Sequence, residues 1–232
     1  MSFLNSLARQ VTQQAEVVAA RRIAAHTYRL TLAGPALVGW AYVPGQTLNV
    51  FFGLAAAGDE VSLRKRTYSI WGYDAQASHL ELAVCTFSGG PGAQWAARCR
   101  PGDVVHFYGP GGRFLLDATA PAYALLGDVS CLAHLYELRR HLPAGVPVAS
   151  VVHARHLDDC FPDLDGTSPL HFVVADTLPA AQYLAAAQAQ GLESGALVYW
   201  GGPQATCVAG HRLLQREGQW PSHLLKTKPF WK

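Results

Sequence analysis

Charge is what this chain has least of. Asp, Glu, Lys and Arg make up 15% of its 232 residues, against 50% hydrophobic ones. Such a composition buries a sizeable core and excludes an intrinsically disordered chain. With 18 basic residues against 16 acidic ones, the formal charge is +2. That is too small a field to attract nucleic acid or an anionic membrane, so neither is expected as a partner. No apolar run approaches the ~18–20 residues of a membrane span. The opening Met-Ser-Phe-Leu-Asn lacks a basic segment followed by an apolar stretch, so no secretory signal is expected. The five cysteines, Cys85, Cys99, Cys131, Cys160 and Cys207, are far apart and odd in number. No pair has zinc or iron–sulfur spacing, and no disulfide framework is expected. A soluble cytoplasmic protein without a metal site is the expectation.

Lysine is scarcer still, and unevenly placed. Of Lys65, Lys226, Lys228 and Lys232, three fall in the last seven residues. A basic tail is often only a solvated chain end, and that reading stands beside a functional one.

At the usual ~100–200 residues per domain, the length fits one large domain or two small ones. Two rhythms decide between them. Residues 16–23, 27–32, Thr47–Phe52, 66–71, 80–87 and 104–108 alternate as short strands separated by turn signals such as Pro44-Gly45 and Pro101-Gly102-Asp103. They predict an antiparallel barrel, interrupted by one helix at about 91–99 after Gly89-Gly90. Beyond it, strands at 123–126, 146–152, 170–174 and 196–200 alternate with helices. Ser130 is the expected cap of the first helix, whose apolar face is Leu132, Leu135, Tyr136 and Leu142. Pro179 is expected to start the second, which ends at Gly191, and Gly201-Gly202 to open the third, 203–217. This is a βαβ pattern on a mostly parallel sheet. The expected domains are 1–117, a barrel, and 118–232, an α/β domain with a basic C-terminal tail.

The most informative stretch is Arg66-Thr67-Tyr68-Ser69. Strand alternation places Arg66 and Tyr68 on one face. A guanidinium pairs bidentately with a pyrophosphate, a phenol covers a ring system, and a serine hydrogen-bonds a ring nitrogen. A barrel strand with an ordinary Arg and a core Tyr has the same four residues. Gly89-Gly90-Pro91-Gly92-Ala93-Gln94 adds a glycine turn on a helix N-terminus, where unpaired amides and the helix dipole favour an anion.

Taken in order, these segments resemble the siderophore-interacting, or ferric-siderophore reductase, family within the ferredoxin–NADP reductase superfamily. The resemblance runs through Val17-Val18-Ala19-Ala20-Arg21-Arg22, Tyr28-Arg29-Leu30-Thr31-Leu32, Pro44-Gly45-Gln46 and Arg66-Thr67-Tyr68-Ser69. It continues through Gly90-Pro91-Gly92-Ala93-Gln94-Trp95-Ala96, Pro101-Gly102-Asp103, Gly109-Pro110-Gly111-Gly112, Leu126-Gly127-Asp128 and the closing Phe230-Trp231-Lys232. It implies an FAD-binding barrel followed by an NAD(P)H-binding-like α/β domain. It further implies Arg66, Thr67, Tyr68 and Ser69 at the flavin, with Thr86 beside it and Gly89, Gly90, Pro91, Gly92 and Gln94 holding its phosphates. NADPH or NADH would meet Gly127, Asp128, Gly201 and Gly202, at carboxyl ends of strands, and Trp231 is implied to lie near the flavin ring. The implied activity is an electron relay from NAD(P)H, or ferredoxin, through FAD to the Fe(III) of a ferric siderophore or other ferric chelate. Tyr68, Ser69 and Trp231 would serve catalysis, and Lys65, Lys226, Lys228 and Lys232 would attract an anionic substrate.

The sequence departs from the family pattern at Trp71-Gly72, where another Arg is common, and at Thr86-Phe87, where His-Gly is. After Gly127-Asp128, Val129 replaces an acidic residue, and Ala133-His134 stands in the helix. Two other functions stay open. One is a general flavin reductase or ferredoxin–NADP reductase-like carrier. The other is a non-enzymatic flavin-binding subunit of a larger complex. His153, His156, Asp158, Asp159 and Cys160 read as a polar loop rather than a metal cluster, and Tyr183 as a helix packing residue.

Overall fold

Alternation builds the first unit. In the computed structural model, which describes residues 12–52, 64–216 and 220–231, strand β5 (His79–Cys85) buries Leu80, Leu82 and Val84 and turns the residues between them outward. The same pleat runs through β1 (Gln13–Ala24), β2 (Thr27–Ala33), β3 (Thr47–Phe52), β4 (Arg64–Asp74) and β6 (Val104–Gly111). All pair antiparallel in the order β1-β2-β5-β4-β3-β6, and β6 returns to β1 to close the barrel. Among the described residues, closure leaves this unit no edge strand to template association. Val17, Leu30, Leu48, Ile70 and Phe107 fill the interior, each contributing about 1.5–3 kcal/mol on burial. β5 stops two residues before its expected end because Thr86 donates its amide to His26 O and Phe87 stacks on the His26 ring at 4.6 Å. Helix α1 (Pro91–Arg98) starts on Pro91, which needs no amide partner, and presses Ala93 and Ala96 into the barrel side.

The chain divides into Met1–Arg113 and Phe114–Lys232. In the second unit β7 (Tyr123–Asp128), β8 (Val148–Ala154), β9 (Phe172–Val174), β10 (Leu197–Pro203) and β11 (Leu225–Trp231) form one parallel sheet, ordered β11-β10-β7-β8-β9. β7 is buried throughout, as a central parallel strand must be. Helices α2 (Leu132–Arg140), α3 (Ala180–Gln188) and α4 (Gln204–Arg216) connect the strands. Tyr183, Ala187, Cys207 and Leu214 from α3 and α4 pack with Ala124, Leu126, Val198 and Trp200 of the sheet.

Several local expectations are corrected here. Ser130 does not cap α2: Cys131 holds the cap position, and Ser130 turns its hydroxyl back to Asp128. Leu142 lies beyond the end of α2, which closes at His141. Pro179 is the cap of α3 rather than its first residue. Gly201-Gly202 do not open α4; they finish β10, and α4 begins at Gln204. The basic tail is the edge strand β11, paired with β10 from Val198↔Leu225 to Pro203↔Trp231. Lysines and Pro229 suit an edge strand, where they discourage further pairing. No helix among the described residues is long and apolar enough to cross a membrane.

Two buried residues make the second unit sensitive to change. A Cβ at Gly210 would lie 2.4 Å from Cζ3 of Trp200. Gly→Ala gains up to about 1 kcal/mol in helix propensity, whereas overpacking costs about 1–3 kcal/mol. The clash wins because the Trp200 ring is fully buried. Gly210→Ala is expected to lower the urea midpoint; an unchanged midpoint would show that α4 stands further from Trp200. His134 is fully buried, stacked on Phe114 at 4.9 Å, with Nε2 on Phe114 O at 3.0 Å. Burial, then the Lys228 charge, pushes its imidazole down to about 3. The native state holds it neutral while the unfolded chain protonates it near 6.5. Its contribution to stability is therefore complete above pH 6.5 and lost as pH falls toward 3. Denaturation midpoints measured from pH 7 to 4 should fall less steeply for His134→Phe than for the parent.

Candidate functional site

In the first unit, β4 and α1 build a cradle. Alternation along β4 brings Arg66 and Tyr68 to the same side, against the first turn of α1. A Cβ on Gly92 would meet Tyr68 Oη at 2.0 Å and Arg66 Cγ at 3.5 Å. Only glycine permits that approach. Tyr68 is half-buried, 6.0 Å from the Trp95 ring, and burial raises its phenol pKa despite the opposing Arg66 charge. It stays a neutral hydroxyl. Ser69 is buried opposite Thr47, and Thr67 is exposed with its hydroxyl donating to Asn49 Oδ1 at 2.8 Å. Lys65 and Arg66 are exposed, and Arg66 Nη1 donates to Lys65 O at 2.8 Å.

The N-terminus of α1 is open. Gly90 is its cap residue with no side-chain cap, and its first turn holds no acid. The first intrahelical amide bond is Gln94 N to Gly90 O at 3.0 Å, so the Gly92 and Ala93 amides have no acceptor within the helix. Gly89, at φ +59°, turns the chain into the cap. Gln94 Nε2 reaches back to Gly89 O at 3.0 Å and braces this turn. Thr86 is committed elsewhere, its hydroxyl on His26 O at 3.0 Å. The arrangement suits an anion: neutral amides and a dipole on one side, the Arg66 guanidinium on the other.

The second unit has its own crevice. The strand order reverses between β7 and β10, and at such a switch point open sheets bind ligands beyond the carboxyl ends of the strands. Gly127-Asp128 and Gly201-Gly202 lie there. A Cβ on Gly127 would meet Cys131 Sγ at 2.3 Å and Gly201 O at 3.0 Å, and one on Gly202 would meet Asp128 Oδ1 at 3.0 Å. Tyr183 donates to Gly127 O at 3.0 Å, so this packing residue also holds the turn. Asp128 is buried. Burial raises its carboxyl, while hydrogen bonds from Ser130 and Trp231 work the other way. Trp231 Nε1 donates to Asp128 Oδ2 at 3.2 Å, leaving the indole 48% exposed.

The lysines are not one free patch. Lys226 lies over the Tyr199 ring at 5.3 Å, donates to Leu115 O at 3.3 Å and pairs with Asp117 at 3.7 Å. Lys228 is half-buried over the Phe230 ring at 5.1 Å, and burial lowers its pKa. Lys232 lies outside the described residues. The segment expected as a polar loop is corrected in part: His153 lies in β8, with Nε2 on Ala175 O at 2.8 Å, and Asp159 is buried. Sequence reasoning missed Trp95 in the cradle and Ser130, Cys131 and Phe230 at the crevice. Only Ser130 carried a signal, an Asp-x-Ser turn; its amide donates to Asp128 Oδ1 at 3.1 Å.

Residues 53–114 match the family model of the siderophore-interacting FAD-binding domain. No curated protein matches the chain. Among solved structures, a siderophore utilization protein from T. fusca is 22% identical over 95% of this chain and 92% of its own, with a TM-score of 0.78. The siderophore-interacting protein SipS from Aeromonas hydrophila is 19% identical over 95% and 91%, with a TM-score of 0.80. Phthalate dioxygenase reductase is 18% identical over 96% of this chain and 69% of its own, at 0.75. At these identities the likeness shows the fold alone, a closed antiparallel barrel and a parallel sheet with helices. The resemblance read from the motifs is borne out, since the family match spans both Arg66–Ser69 and Gly89–Gly92. Gly92→Ala forces Tyr68 away from α1, and FAD affinity is expected to fall at least about tenfold, a 1.4 kcal/mol effect. Equilibrium titration of FAD fluorescence checks this; undiminished affinity would separate the Tyr68–Gly92 contact from the flavin.

Proposed function

We propose that this chain is an FAD-dependent reductase that passes electrons from NADPH or NADH, or from ferredoxin, to the Fe(III) of a ferric siderophore, releasing Fe(II). The observation that supports it most is that the siderophore-interacting FAD-binding match, 53–114, falls on the β4–α1 cradle. The residues there fit the cofactor. The Gly92 and Ala93 amides and Arg66 would hold the pyrophosphate, Tyr68 would cover the ring system, and Ser69 would hydrogen-bond it. When bound, FAD supplies an acceptor for two electrons that can be released singly. The protein's share is to bind, orient and exclude water. Tyr68 keeps its proton, and no acid–base pair is needed. Gly127 and Gly202, packed without side chains at the switch point, would admit a pyridine nucleotide beside Asp128 and Trp231.

Siderophores offer hard oxygen donors that suit Fe(III); Fe(II) is held less tightly, so reduction promotes release. An anionic ferric chelate would be drawn by exposed Lys65 and by Lys232, with Lys228 contributing its half-buried charge and Lys226 engaged within its own unit. A second reading is a general electron carrier, favoured by the fold shared with phthalate dioxygenase reductase, a structure described as transferring electrons from pyridine nucleotides to [2Fe-2S].

Anaerobic assays decide between them. Purified chain with FAD and NADH, NADPH or reduced ferredoxin should reduce a ferric siderophore, with Fe(II) trapped by a ferrous-specific chelator. The rate should exceed that of free FAD and of an uncharged dye acceptor. Equal or better turnover of the dye would favour the general carrier, and no Fe(II) above the free-FAD control would overturn the siderophore reading.

A further inference from the structure

The carboxyl edge of the parallel sheet leads away from the crevice in one direction. Trp231 of β11 reaches across the end of β10 to Asp128 of β7 at 3.2 Å, so its indole closes the β11 side. On the other side β7 adjoins β8, with Asp128 level with His153. Arg155 follows two residues later, the first residue beyond β8, and His156 comes next. Neighbouring strands are about 4.8 Å apart, so both cations stand one strand over from the Gly127-Asp128 turn.

Both side chains are exposed, and among the described residues neither has a hydrogen-bond or ion-pair partner. Their neighbours are engaged or hidden: His153 is held by Ala175 O at 2.8 Å, and Asp159 is buried. Asp158 and Asp176 are exposed beyond β8 and β9, yet neither pairs with Arg155. An unpaired arginine at this place in an open α/β sheet has a specific use. A dinucleotide bound beyond the carboxyl ends of the strands brings its adenosine ribose toward the end of the second strand, which here is β8. A carboxylate there accepts from a free 2′-hydroxyl, whereas an arginine accommodates a 2′-phosphate.

We propose that Arg155, assisted by His156, binds the 2′-phosphate of NADPH and makes the chain select NADPH over NADH. The proposal rests on the pyridine-nucleotide reading of the crevice and deepens it by naming the donor. NADH carries a hydroxyl where NADPH carries a phosphate monoester with about −1.5 to −2 of charge near pH 7. The planar guanidinium forks onto two phosphate oxygens. A ring N–H of His156 supplies one more donor.

Calorimetric titration of the full chain with NADPH, NADH, 2′,5′-ADP and 5′-AMP tests this. The parent should bind NADPH about tenfold or more tightly than NADH, the worth of one charge-assisted hydrogen bond. It should likewise favour 2′,5′-ADP over 5′-AMP, and both margins should narrow as salt is raised. Arg155→Ala should cut the NADPH preference about tenfold or more, and Arg155→Lys should keep part of it. The parent's own contrasts decide the matter if a variant does not fold. A parent that binds the two dinucleotides equally, or NADH more tightly, overturns the 2′-phosphate assignment and leaves the flavin reading standing. An Arg155→Ala variant that weakens both dinucleotides alike does the same. A parent that retains FAD but binds neither dinucleotide overturns the pyridine-nucleotide reading of the crevice itself.

Discussion

The close approach of Gly92 to the Tyr68 hydroxyl is the constraint on which the cradle depends. With no side chain at position 92, the first turn of α1 comes down on the face of β4 that carries Arg66 and Tyr68. Amides without an acceptor in the helix and the stem of Arg66 then lie close together. Barrel closure makes this approach rigid, because β4 is held by β3 on one side and β5 on the other. A loop could carry the same residues, but strands and a helix hold them more exactly in position.

The two units handle charge in opposite ways. The first gathers neutral donors and an arginine, with no carboxylate in the first turn of α1, and so favours a diphosphate. The second buries a carboxylate, Asp128, at its switch point and satisfies it with Ser130 and Trp231. Three glycines there bring backbone against backbone, the Cys131 sulfur and the Asp128 carboxylate, so the crevice is shaped by what it lacks. Lysines that are conspicuous in the sequence do local work in this unit: Lys226 joins Leu115, Asp117 and Tyr199, and Lys228 covers Phe230.

Much of this was legible in the residues. His-Leu-Glu-Leu-Ala-Val-Cys writes the pleat of β5 directly, and Gly90-Pro91 marks the start of α1 because glycine turns the chain and proline needs no amide partner. What could not be read depends on contacts between distant positions. The Trp231–Asp128 bond joins residues 103 apart, and no local pattern sets that indole on the carboxylate. β11 carries two lysines and a proline, the composition of a solvated tail. Its strand character comes from the unpaired edge of β10, which no local pattern reveals. Trp95 reads as ordinary helix packing, since only the fold brings Phe52 beside it.

The central claim is that the β4–α1 cradle holds a flavin, and the visible absorption spectrum tests it most directly. Purified chain should be mixed with FAD, freed of excess by gel filtration and scanned. The account predicts one flavin retained per chain, with resolved bands that move when the protein is unfolded. A colourless protein fraction that retains no FAD would contradict it.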